Sequence, residues 1–113
     1  MATNPYDKAH ELARAIRDHE VFIRYAAATR ALRSNEEATQ RMLTFQQLQM
    51  ELNQAQMAGE EISETKSAHL QLSYNKLRED PITGEFLTAE DQFLRLFTDL
   101  QNVIHKDMEL DLG

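Results

Sequence analysis

The side chains best suited to ligating a metal or moving a proton near neutral pH are the four histidines His10, His19, His69 and His105. None belongs to an HxH or HExxH pattern. Asp7 and His10 stand three residues apart, and His105 and Glu109 four apart, so on a helix each pair shares a face. Two ligands do not make a zinc centre, which takes three or four. No second pair can be set beside either from the spacing, so solvated faces or local ion pairs account for them. A metal-dependent enzyme ranks behind every other reading.

Carboxylates come in pairs at Glu36/Glu37, Glu60/Glu61 and Glu90/Asp91. Acid–base catalysis needs two carboxyls held in different environments inside a pocket. These pairs fall at helix starts or in a turn, where acids answer the positive end of a helix dipole. There is no GxSxG and no glycine-rich phosphate loop, and the serines near helix starts read as caps. With no Cys in the chain, thiolate metal ligands, disulfides and cysteine nucleophiles are excluded. The residues therefore argue against an enzyme, and no cofactor is expected.

Composition narrows the class further. The 113 residues suit one domain spanning 1–113, and 42% hydrophobic with 27% charged residues is ordinary for a soluble globular chain. No run approaches the ~20 apolar residues of a membrane span, and the first residues show no signal-peptide core, so a cytoplasmic location is expected. The net charge of −7 is uneven. Residues 1–33 hold six Lys/Arg and four Asp/Glu, whereas residues 81–113 hold two and seven. Most of the chain would repel a phosphate backbone, so nucleic-acid contact would rest on Arg14, Arg17, Arg24, Arg30 and Arg33 alone.

Few punctuating residues are available to divide the chain: three Gly and two Pro. The spacing predicts about five helices and no strand. Asn4-Pro5-Tyr6-Asp7 starts the first, with Asn4 as cap and Pro5 at the first helical position. Ala9, Leu12, Ala13 and Ile16 form its stripe. The next stripe, Phe22, Tyr25, Thr29 and Leu32, is rotated by about 240° from Ile16 at 100° per residue, which predicts a break near 17–20. Ser34 with Glu37 reads as a capping box that opens a long helix. Its stripe is Met42, Phe45, Leu48, Leu52 and Ala55, and Gly59 is its natural stop. Ser63 caps the fourth helix, which Asp80-Pro81 ends. The last helix is expected to restart near Thr83 or Thr88. Phe86, Ala89, Phe93, Leu96, Leu100 and Val103 form its main stripe, widened by Leu94, Phe97, Ile104 and Met108.

The fold class is therefore all-α, with the third and fourth helices forming a long antiparallel hairpin around QMAGEEISE. The fourth helix carries few apolar residues and cannot cover the whole stripe of the third. Met42, Phe45, Leu48, Leu52 and Ala55 are thus expected to meet a second copy, making a symmetric homo-oligomer, most simply a dimer. The corner itself is exposed and carries an apolar Ile62. Gln56, Met57, Glu60, Glu61 and Ile62 are the candidates for capturing an unidentified protein partner; a plain connector with Ile62 tucked inward is the competing reading. Met50 lies off the stripe and is, with Met57, a further contact candidate.

The order NPYDKAHELARAIRDHEVF, QMAGEEIS, DP, FLTAEDQF and VIHKDMELDL resembles the YlbF/YmcA family, specifically its YheA-like branch. The resemblance spans nearly the whole chain and is most specific at QMAGEEIS and at Ala89-Glu90. It implies an all-helical cytoplasmic protein of Gram-positive bacteria with no enzymatic activity. Better-known relatives are regulatory accessory proteins linked to competence, sporulation, biofilm formation and RNA processing through a membrane-tethered ribonuclease. Relatives in that complex are tied to an iron–sulfur cluster, for which this cysteine-free chain has no thiolates. The two leading readings are a helical interaction or regulatory protein and an accessory factor in RNA processing.

Overall fold

The computed structural model describes residues 4–109. Five helices follow in order: α1 (Pro5–Asp18), α2 (Glu20–Arg33), α3 (Glu36–Met57), α4 (Glu64–Glu79) and α5 (Pro81–Asp107). Among the described residues there is no strand, so the fold is all-α. No helix among them is long and apolar enough to cross a membrane.

Local chemistry sets the boundaries. The Asn4 side chain accepts a hydrogen bond from the Tyr6 N–H at 2.8 Å, satisfying one of the orphan donors that begin α1. His19 closes α1 in extended conformation and opens α2, its Nδ1 accepting from the Val21 N–H at 3.1 Å. The phase break between Ile16 and Phe22 thus falls on a single residue.

α3 starts one residue later than the Ser34 capping box predicts. Asn35 is the cap, accepting from the Ala38 N–H at 2.9 Å. The Ser34 hydroxyl is occupied at the end of α2, donating to the Arg30 carbonyl at 2.8 Å. Two adjacent capping residues have divided the work, one per helix. Gly59 takes φ +76°, the left-handed turn that ends α3, and nothing crowds its α-carbon. Ser63 then caps α4, accepting from the Lys66 N–H.

The restart after α4 comes sooner than near Thr83 or Thr88. Asp80 is pushed out of helical conformation by Pro81, and the same proline serves as the first residue of α5. Asp80 Oδ1 accepts from the Ile82 N–H at 2.9 Å and the Thr83 N–H at 3.2 Å. One Asp-Pro pair therefore both stops a helix and starts the next. Thr83, fully buried, donates its hydroxyl to the Leu77 carbonyl at 2.6 Å and ties the two helices together.

Packing separates the chain into two compact units. The unit formed by residues 28–87 holds α3, α4, the end of α2 and the start of α5. Here α3 and α4 pack against each other. Phe45 meets Tyr74 with ring centroids 5.9 Å apart, and Arg41 meets Asp80 at 3.0 Å. Those pairs nest around the Gly59 turn, so the helices run antiparallel. The apolar core of this unit is Ala28, Leu32, Ala38, Met42, Phe45, Leu52, Leu77 and Phe86.

The other unit comprises residues 1–27 and 88–113, of which residues 4–27 and 88–109 are described. Its centre is aromatic. Tyr25 stacks on Phe93 at 4.9 Å, and Phe22 meets the same ring edge-on at 5.8 Å. Arg24 donates to Gln92 at 3.0 Å beside them. Ala89 is buried. α1 has the clearest amphipathic pattern of the five, yet no residue of it is buried; Leu12 and Ile16 are half-buried and Ala9 and Ala13 exposed.

Candidate functional site

Helix α5 carries two adjacent apolar rows. At 100° per residue, Leu94, Phe97 and Ile104, with Met108 in the turn just after the helix, fall within an arc of about 80°. They lie beside the row that contains Phe93, Leu96 and Leu100. That second row is half-buried, while the first is open: Leu94 is 54% exposed, Phe97 45%, Ile104 46% and Met108 62%. Val103, at the end of the second row, is exposed. Completing the burial of side chains of this size is worth about 1 kcal/mol each. With α1 left without a buried residue, the unit of residues 4–27 and 88–109 presents apolar surface on two helices.

The stripe assigned to a second copy sits differently. Met42 is 2% exposed, and Phe45 and Leu52 are 7% each. These side chains are already buried within one subunit. Leu48 and Ala55 remain half-buried. The amphipathic spacing of α3 was legible, but whether α4 or a twin fills it depends on how closely the two arms approach. On α5 the residues that widen the main stripe, Leu94, Phe97, Ile104 and Met108, are the part left open.

At the hairpin corner, Gln56, Met57, Glu60 and Glu61 are exposed, Met57 at 88%, and Ile62 is half-buried. The backbone there is pinned: the Glu60 N–H donates to the Ala55 carbonyl at 2.9 Å and the Gly59 N–H to the Gln56 carbonyl at 3.1 Å. A fixed turn thus displays one apolar side chain, Met57, next to two carboxylates. Met50 is also exposed.

The residues with catalytic potential do not converge. Among the described residues no group of three or more His, Asp or Glu could hold a metal ion. His10, His19, His69 and His105 are all exposed and lie on separate helices or helix ends. Two carboxyls depart from ordinary behaviour. Asp80 is held below the usual range by the Thr83 N–H first, then by Arg41 and the Ile82 N–H. Burial pushes Glu90 up. Asp80 is a helix cap by geometry, and Glu90 stands half-buried in the middle of α5. Neither is paired with a second carboxylate or a histidine among the described residues.

Comparison with known proteins agrees with this architecture. The family described as control of competence regulator ComK, YlbF/YmcA, matches residues 6–109. A UPF0342 protein of Caldicellulosiruptor bescii is 31% identical over 106 residues, covering 94% of this chain and 89% of that protein. One from Staphylococcus haemolyticus is 30% identical over 109 residues, covering 96% of each. Among solved structures, a protein of unknown function (DUF964) from Bacillus stearothermophilus superposes with a TM-score of 0.81 over 93% of both chains, at 22% identity. That likeness concerns the fold. The match over residues 6–109, the full-length relatives and the five-helix architecture agree, and the chain belongs to the YlbF/YmcA family.

Proposed function

We infer that this protein is a non-catalytic helical interaction protein with a regulatory role in the cytoplasm, working by protein–protein contact. The observation that carries the reading is the open row of Leu94, Phe97 and Ile104 on α5, continued by Met108 just beyond it. A row of four large apolar side chains within a narrow arc is what a helix presents to another helix. The simplest occupant is the same row of a second copy across a two-fold axis, because an isologous contact buries the row twice with one surface. The family description, control of a competence regulator, fits a protein that acts on other proteins rather than on a substrate.

The hairpin corner is the surface this reading gives to a different partner. Met57 supplies the apolar contact, and Glu60 and Glu61 select a basic surface. The experiment is a pull-down from native cytoplasm with wild type and with Glu60→Lys/Glu61→Lys. The reading expects a specific protein retained by the wild type and lost from the variant, with circular dichroism unchanged. Retention of RNA at low salt, falling steeply as salt rises, would favour the accessory factor in RNA processing instead. That reading draws on Arg14, Arg17, Arg24, Arg30 and Arg33, all exposed on α1 and α2.

A further inference from the structure

A groove of about 360 Å³ lies between α3 and α4. Gln40, Arg41, Thr44 and Phe45 line it from α3, and His69, Ser73, Lys76 and Leu77 from α4. Its floor is apolar, with Phe45 and Leu77 both buried. Its walls are polar and of one sign: Arg41 and Lys76 are cationic, His69 adds ring nitrogens, and no Asp or Glu lines it. This is notable in a chain of net charge −7. Arg41 is partly neutralised by Asp80 at 3.0 Å. The Lys76 ammonium and the His69 ring have no hydrogen-bond or ion-pair partner among the described residues. Ser73 is half-buried and adds a hydroxyl between them, since residues 69, 73 and 76 share one face of α4.

A groove of about 360 Å³ lies in the range of small-molecule sites. Apolar floors with a few convergent polar groups are the usual form of such sites. We propose that the α3–α4 groove binds a small amphiphilic anion, with its carboxylate or phosphate head on Lys76, His69 and Ser73 and its apolar body on Phe45 and Leu77.

The test is a ¹⁵N-resolved NMR titration of the full-length protein at fixed concentration with four probes: octanoate, octyl phosphate, 1-octanol and inorganic phosphate. Octanoate or octyl phosphate is expected to shift the amide signals of Arg41, Thr44, Ser73 and Lys76 with an affinity about tenfold above 1-octanol, the value of one charge-assisted contact. Whichever of the two binds more tightly identifies the head group. Inorganic phosphate alone should bind far more weakly, because it leaves the floor empty. Lys76→Gln, at an exposed position, should erase the preference for the anions, and Ser73→Leu should block all four probes with helix content retained. Equal affinity for 1-octanol would overturn the charge argument. Equal shifts around Asp91, Arg95 and Asp99 would show general surface adsorption and overturn the site. Groove signals that move with protein concentration and not with probe would assign the groove to self-contact and overturn it as well.

Discussion

Asp80→Ala tests whether the α4–α5 corner is held by the cap described above. The side chain makes three contacts: Oδ1 accepts from the Ile82 and Thr83 N–H groups, and Oδ2 accepts from Arg41 at 3.0 Å. Loss of an Asp cap costs about 1 kcal/mol, within a range of roughly 0.5–2. The ion pair is partly exposed on both sides, 44% for Arg41 and 24% for Asp80, so it adds at most about 0.5–1 kcal/mol. Together the truncation should destabilise the fold by about 1–2 kcal/mol. In urea unfolding followed by circular dichroism, that is a midpoint shift of about 1 M for a chain this small. Protomer concentration is held constant, because self-association would add its own term.

Three controls separate the parts of that number. Asp80→Asn keeps an acceptor at Oδ1 and should retain most of the cap while losing the charge. High salt should remove the Arg41 share and leave the cap. The pH dependence has a fixed sign. Asp80 has a folded value below its ordinary 3.8, so its stabilisation is present above that value and is lost as pH falls through the lower folded one. Wild type and Asp80→Ala should therefore converge in acid below pH 3.8. The reasoning fails if Asn destabilises as much as Ala, or if the gap persists unchanged at low pH.

Other outcomes follow from the same structure. Gly84 lies inside α5, where helix propensity alone makes Ala better than Gly by about 1 kcal/mol. An added Cβ, however, would collide with the Arg78 backbone carbonyl, which cannot swing aside as a side chain can. Gly84→Ala should thus destabilise by about 1–3 kcal/mol, and a thermal melt that rises would refute the close approach. Glu90 has a folded pKa raised above 4.5 by burial, so the fold loses stability as pH rises through that value. Glu90→Gln should gain on wild type between pH 4 and pH 7 in paired urea titrations, and a pH-independent difference would contradict it.

How much of this was legible beforehand depends on whether the deciding contact is local. Asn4, Gly59, Ser63 and Asp80-Pro81 act within a turn of their own position, and each does what its residue type implies. The break at His19 was readable from the phase jump between Ile16 and Phe22. The shift from Ser34 to Asn35 was not, since two good capping residues stand side by side and only the Ser34 bond to the Arg30 carbonyl decides between them. Nothing local marks Gly84, because the backbone it touches belongs to the preceding helix. The stripe of α3 and the double row of α5 were visible as patterns. Which of them is filled from within the subunit depends on helix approach distances that no periodicity encodes. The groove had a half-signal in the 69/73/76 spacing, but its other wall, residues 40–45, is matched to it only by the hairpin register.

The most direct measurement is the solution mass by multi-angle light scattering, at micromolar concentration, of wild type and of Phe97→Glu/Ile104→Glu. Both side chains are about half exposed, and Phe97 also touches the Phe93 ring, so helix content and the melting transition of the variant are measured alongside its mass. If the open row of α5 is the self-association surface, the wild type has a multiple of the 13.1 kDa subunit mass and the variant returns to one subunit with its helix content intact. A wild type that elutes as one subunit at every concentration, or a variant with unchanged multimeric mass, would contradict the account.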